Sequence, residues 1–305
     1  MIAPNPSLAV LYSELVLSLY PILIKSVNTN IFTQILARFI VFPSLAIAFG
    51  STYDFKSIWG NPYEAFVGII HNLLNLGHIA SSYTAFKILP VGTAIALFYL
   101  YPIFNIISAA VFFGEPLSLF QVFLIGVAFA GTYLITTDTK SDKSIDSSDK
   151  PSDKQSDKPS DKTYKYGIIM ALLAAITETM IFIFIRSSLD AQASPYYTVN
   201  HLYPAGLVML LIYGLRHTKV VDTSKTNWLK LLGFNAVIGF TGYIARFYAI
   251  PKIPTIIFSL LSFFGVTFGN IWGILYTGDK LSMKSLVGSG LIVAATAILR
   301  YFTAT

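Results

Sequence analysis

The chain has 305 residues, 54% of them hydrophobic and only 12% charged, about half the charged share of a soluble domain. The absence of cysteine excludes disulfides, thiolate chemistry and cysteine-based metal sites, and the four histidines fall in no HExxH spacing. A net charge of +6 requires no nucleic-acid partner, because the loops of a membrane protein collect Lys and Arg.

Apolar runs of roughly 17–25 residues recur, each long enough to cross about 30 Å of hydrocarbon. Lipid admits only helices or closed barrels, and these runs have helix length rather than ten-residue alternation. The expected fold is therefore an all-α polytopic membrane protein embedded in a lipid bilayer. Ten transmembrane helices are predicted, over residues 7–24, 31–49, 63–86, 91–113, 117–137, 164–186, 195–215, 228–249, 255–276 and 282–302. The opening "MIAPNP" has no basic residue, which predicts a retained first helix rather than a cleaved signal. Residues 138–163 form a degenerate Ser-Asp-Lys repeat too polar to build a core, which predicts a disordered linker. It separates a first five-helix unit, 1–137, from a second, 164–305.

The two units repeat each other. "GEPLS" at 114–118 answers "GDKLS" at 278–282, an offset of 164. At the same offset Pro90 meets Pro254, Gly126 meets Gly290, and Ser13-Glu14 meets Thr177-Glu178. One register aligning both ends of the halves predicts an internal duplication. Because five is odd, the second copy enters the membrane from the opposite side, giving inverted repeats around a shared midplane site.

The stretch "AFKILPVGTAIALFYLYPIFNIISAAVFFGEPLSLFQVFLIGVAFAGTYLI" resembles the EamA-type half of the drug/metabolite transporter superfamily. The likeness rests on a Pro-containing hinge, Pro102 in the next helix, a Gly-Glu turn and a Gly-rich last helix. The second half is similar but weaker, with Asp279 in place of the Glu and no proline matching Pro102. The resemblance implies a ten-helix secondary transporter whose family moves amino acids, nucleotide sugars, phosphorylated sugars, drugs and other metabolites. The small multidrug branch uses a carboxylate in its first helix for both proton and cation binding, which offers an analogy for Glu14.

Glu14 and Glu178 lead the candidates. A charge at a helix centre costs about 2.5–3.5 kcal/mol, so such groups face a cavity or a partner. In the third span His71, Asn75, His78 and Ser82 occupy one helical face. The offset carries them to Asn235, Gly239, Gly242 and Arg246, a stripe polar at its ends with two glycines expected to leave room between. Tyr101 and Asn105, with Tyr99 beside them, are candidates to line the path. Arg38 and Arg246 carry stems long enough to reach the interface, whereas a cavity arginine would favour an anionic substrate. Gly265, Gly269 and Gly273 predict close helix packing, and Glu115 and Asp279 are expected to fix turns.

No phosphate loop, metal cluster or nucleophile elbow appears, and no cofactor is expected. The expected function is a secondary carrier for a small polar organic solute, driven by a proton or by exchange, working as a monomer or homodimer. The rivals are an exporter of organic cations, a lipid-modifying enzyme using His71 or His78, and a silent scaffold. Orientation is contested within the sequence. Relatives imply cytoplasmic termini, whereas fifteen Lys and Arg on the opposite side against four on the terminal side imply the reverse.

Overall fold

The computed structural model describes residues 5–89, 91–138, 161–277 and 282–304. Among them there is no strand. The first half holds α1 (Pro6–Leu17), α2 (Tyr20–Ser26), α3 (Ile31–Phe49), α4 (Thr52–Trp59), α5 (Pro62–Ile88), α6 (Val91–Phe98), α7 (Tyr101–Phe112) and α8 (Leu119–Asp138). The second holds α9 (Asp161–Ser187), α10 (Leu189–Ala193), α11 (Pro195–Leu202), α12 (Pro204–Arg216), α13 (Lys225–Phe234), α14 (Thr241–Ala249), α15 (Thr255–Ser262), α16 (Phe264–Thr277) and α17 (Met283–Ala304).

Seven of the helical runs, broken ones counted as continuous, are long and apolar enough to cross a membrane. Leu119–Ile135 and Met283–Leu299 are shorter apolar helices. The 27-residue α5 is long enough to span but is not among the seven, since His71, Asn72, Asn75 and His78 interrupt its apolar run. Of the predicted linker, Asp138 ends α8 and Asp161 opens α9; residues 139–160 lie outside the described residues, as do Pro90 and Asp279 of the repeat comparison.

Four predicted spans are broken, and the eighth passes between α13 and α14 through a π-helical turn, Asn235–Phe240. The first breaks between α1 and α2, the fourth between α6 and α7, the seventh at Tyr203 and the ninth at Phe263. Proline explains three of these. Pro21, Pro102 and Pro204 each lack the N–H that would bond the carbonyl four residues back, and each ring crowds that turn. At the seventh span the freed carbonyls find side chains instead. Trp59 Nε1 donates to Asn200 O at 3.2 Å, Asn72 to His201 O at 2.7 Å and Asn75 to Leu202 O at 3.0 Å. The break at Phe263 has no proline, yet it stands at the 164 offset from Tyr99.

Three helix pairs organise the bundle: α5 packs along α9, α14 along α1, and α8 along α17. In the last pair the backbones nearly touch. A Cβ built on Gly131 would sit 2.5 Å from Gly288 O, and one built on Gly288 would sit 2.5 Å from Gly131 O. Small residues permit that approach. Gly288→Val is therefore expected to cost about 1–3 kcal/mol by overpacking, seen as a lower melting temperature of the detergent-solubilised protein.

Candidate functional site

The two acids of the duplicated motif meet at one arginine. Glu14 comes from the last turn of α1, Glu178 from α9 and Arg246 from α14; their relative exposures are 0%, 5% and 1%. Arg246 Nη1 donates to Glu178 Oε1 at 2.6 Å, while Nη2 donates to Glu14 Oε1 and, at 2.7 Å, to the Tyr101 hydroxyl. Tyr99 donates to Glu14 Oε2 at 2.8 Å and Tyr101 to Glu14 Oε1 at 3.2 Å. Gly265 closes the far side: a Cβ there would collide with the Tyr99 hydroxyl and come within 2.6 Å of Glu14 Oε2. Arg246 thus turns inward rather than reaching for the interface, because two carboxylates and a tyrosine satisfy its planar fork.

His78 extends the cluster. Its Nε2 lies 3.3 Å from Glu178 Oε2. Its Nδ1 faces the Ala174 carbonyl at 3.1 Å and Thr177 Oγ1 at 3.2 Å. A carbonyl only accepts, and the Thr177 hydroxyl has its own acceptor in Leu173 O at 2.8 Å, so Nδ1 carries the hydrogen. In the neutral ring Nε2 is then a bare acceptor pointed at a carboxylate oxygen. Two acceptors at this distance repel unless one proton stands between them. With His78 neutral and both acids ionised, the four-residue cluster has one surplus negative charge; that proton cancels it.

A cavity of about 30 Å³, room for one or two waters, adjoins the cluster. His78, Arg246 and Tyr99 reach its wall; the two carboxylates stand behind them and do not line it. Arg38 of α3 lines it as well. This guanidinium is 2% exposed and donates from Nε and Nη2 to the Tyr203 hydroxyl at 3.2 and 3.0 Å. Aromatic rings surround it, with Tyr243 at 4.3 Å, Phe42 at 4.7 Å and Tyr20 at 5.4 Å from its central carbon.

The stripe of the third span divides with height. His78 and Ser82 line the cavity, and Ser82 bonds its own helix at Ile79 O. Asn75 caps the broken seventh span, and His71 Nδ1 pairs with His201 Nε2 at 2.9 Å, away from the cavity. In the eighth span Asn235 accepts from the Tyr20 hydroxyl at 2.9 Å. The glycines between Asn235 and Arg246 leave no room: a Cβ on Gly239 would strike the Tyr20 hydroxyl, and one on Gly242 would press Val16 and Leu17. The expected open middle of that stripe is corrected to close helix packing. Asn105 is buried with neither amide atom hydrogen-bonded. Sequence reasoning missed Tyr20, Tyr83, Tyr203 and Tyr243, since 18 tyrosines in the chain give no single one a signal.

Both ends of the bundle are tied. At one, Gly114 adopts φ 63 and turns the chain so that Glu115 meets Arg186; Glu115 also accepts from the Thr255 hydroxyl at 2.9 Å. Arg186 reaches on to Ile250 O and Ile253 O at 3.0 and 2.9 Å. At the other end Lys25 donates to Leu89 O at 2.8 Å, Lys87 to Thr29 O, and Asn30 to Val220 O at 2.8 Å. The Glu115–Arg186 clamp is partly exposed, so breaking it is worth about 1 kcal/mol or less. Glu115→Gln is expected to raise the maleimide reactivity of Ser259→Cys, one turn below Thr255, by up to about fivefold. The natural chain has no thiols to confuse the reading.

The model of the EamA-like transporter family matches residues 6–137 and 165–301. No curated protein matches the chain in sequence. Solved structures match in fold. One, described only as "Crystal structure of protein", superimposes with a TM-score of 0.70 at 16% identity, covering 96% of this chain and 97% of its own. With two family matches spanning most of an apolar helical chain, this integral multi-pass membrane protein belongs to the EamA-like transporter family.

Proposed function

We propose that the chain is a secondary carrier that moves a small polar organic solute by alternating access, with Glu178 and His78 binding and releasing the coupling proton. The observation that carries this reading is the pair of facing acceptors, His78 Nε2 and Glu178 Oε2 at 3.3 Å, which needs one proton to be stable. The groups packed on that pair are Arg246 from α14, Glu14 from α1 through Arg246, and Tyr101 from α7. Removing the proton leaves a surplus buried negative charge, so loaded and empty states differ electrostatically.

The reading takes the fold as ten spans in two oppositely inserted copies, 1–137 and 164–305. Packing supports it. The third span lies on the sixth as the eighth lies on the first, and the fifth lies on the tenth; exchanging the halves swaps the first two contacts and returns the third to itself. The matched breaks at Tyr99 and Phe263 fit the same exchange. An organic cation would meet two guanidiniums and no carboxylate on the cavity wall, so cation export has no support from the site.

Purified protein in proteoliposomes, screened for counterflow with labelled small metabolites, tests the carrier. Glu14→Gln and Glu178→Gln should each change transport. If both matched wild type at every pH, the coupling role would be wrong.

A further inference from the structure

Arg246 has two carboxylates. Arg38, lining the same cavity, has none: among the described residues no Asp or Glu lies within 4.0 Å of it. A guanidinium 2% exposed inside a membrane helix is costly without a countercharge, and hydroxyl and ring contacts supply only part of one. The cavity that Arg38 lines is walled also by Tyr20, Tyr83 and Tyr243, whose rings pack on the guanidinium, and by Leu17, Phe86 and Phe98.

We infer that this cavity, which holds only one or two waters in the closed bundle, widens to take a small organic anion, its carboxylate or phosphate meeting Arg38 and its carbon body lying against Leu17, Phe86 and Phe98. The guanidinium is held from one edge by Tyr203 and stacked between rings, so its orientation is set before any ligand arrives. The aromatic and aliphatic walls favour an organic body over a bare inorganic ion. The inference rests on the carrier reading only for its second consequence. One carboxylate, or a phosphate monoester in its singly charged form, entering beside Arg38 adds one negative charge, and the proton shared by Glu178 and His78, with Arg246, Glu14 and Tyr101 packed around them, removes one. Anion and proton then enter and leave together.

The test uses the full-length protein in detergent and follows thermal stabilisation by pyruvate, benzoate and glycerol 3-phosphate, each against a neutral analogue, and by inorganic phosphate. At least one organic anion should stabilise the protein while its neutral analogue does not. Arg38→Gln should weaken that anion about ten- to a hundredfold. Arg38→Lys, which keeps the charge but loses the planar fork, should retain part of the affinity and serves if the Gln variant does not fold. Equal stabilisation by neutral analogues, stabilisation by inorganic phosphate alone, no response to any of the anions, or unchanged affinity in the Arg38 variants overturns the inference. Counterflow of the bound anion in proteoliposomes separates the two readings. Binding without counterflow sinks the carrier and leaves the Arg38 site standing; counterflow indifferent to Arg38 does the reverse.

Discussion

Arg246→Met is expected to give the largest loss of stability of any single change in the bundle, about 3–5 kcal/mol, because it strands two buried carboxylates. Protonating both acids recovers part of that loss, so the variant should be more stable in acid than near neutrality, opposite to a simple loss of packing. The triple variant Arg246→Met, Glu14→Gln, Glu178→Gln has no stranded charge and should regain most of the stability while remaining inactive. Thermal melts of the two variants at several pH values decide it. Equal losses in both would mean that packing rather than charge holds the cluster.

Glu178→Gln should separate transport from its driving force. The carboxamide keeps the shape and a partner for Arg246, but it no longer holds a titrating proton against His78 Nε2. Accumulation driven by a pH gradient should fall about tenfold or more, while counterflow without a gradient should change much less. In the wild type, transport should weaken as pH rises and the shared proton is lost; in the variant the profile should be flat. A Glu178→Gln protein that still follows the gradient would place the proton elsewhere.

The sequence makes some parts of this site legible and hides others for physical reasons. Glu14 and Glu178 stand out because a carboxylate in an apolar run is costly, and the 164 offset pairs them. What they pair with is invisible locally: Arg246 lies 232 residues from Glu14 along the chain. The stripe from His71 to Ser82 is a true helical face. However, α5 packs along α9 at both heights and meets α11 and α12 only around His71 to Asn75, so one face serves two environments. Asn75 illustrates the cost of ignoring helix breaks, since a proline at position 204 determines that its amide caps a carbonyl. Glu115 was legible as a turn residue from the Gly-Glu motif, but its clamp on Arg186 joins segments 71 residues apart. The tyrosines around Arg38 come from four separate spans, and only the folded bundle gathers them.

The meeting of Gly131 and Gly288 has a mechanical consequence. Where the two glycines meet backbone to backbone there is no side chain to re-rotamerise, so neither helix can roll at that point without a carbonyl colliding. Under the proposed alternating access that couple would be the stator of the molecule, with the stroke made by the interrupted helices swinging about it.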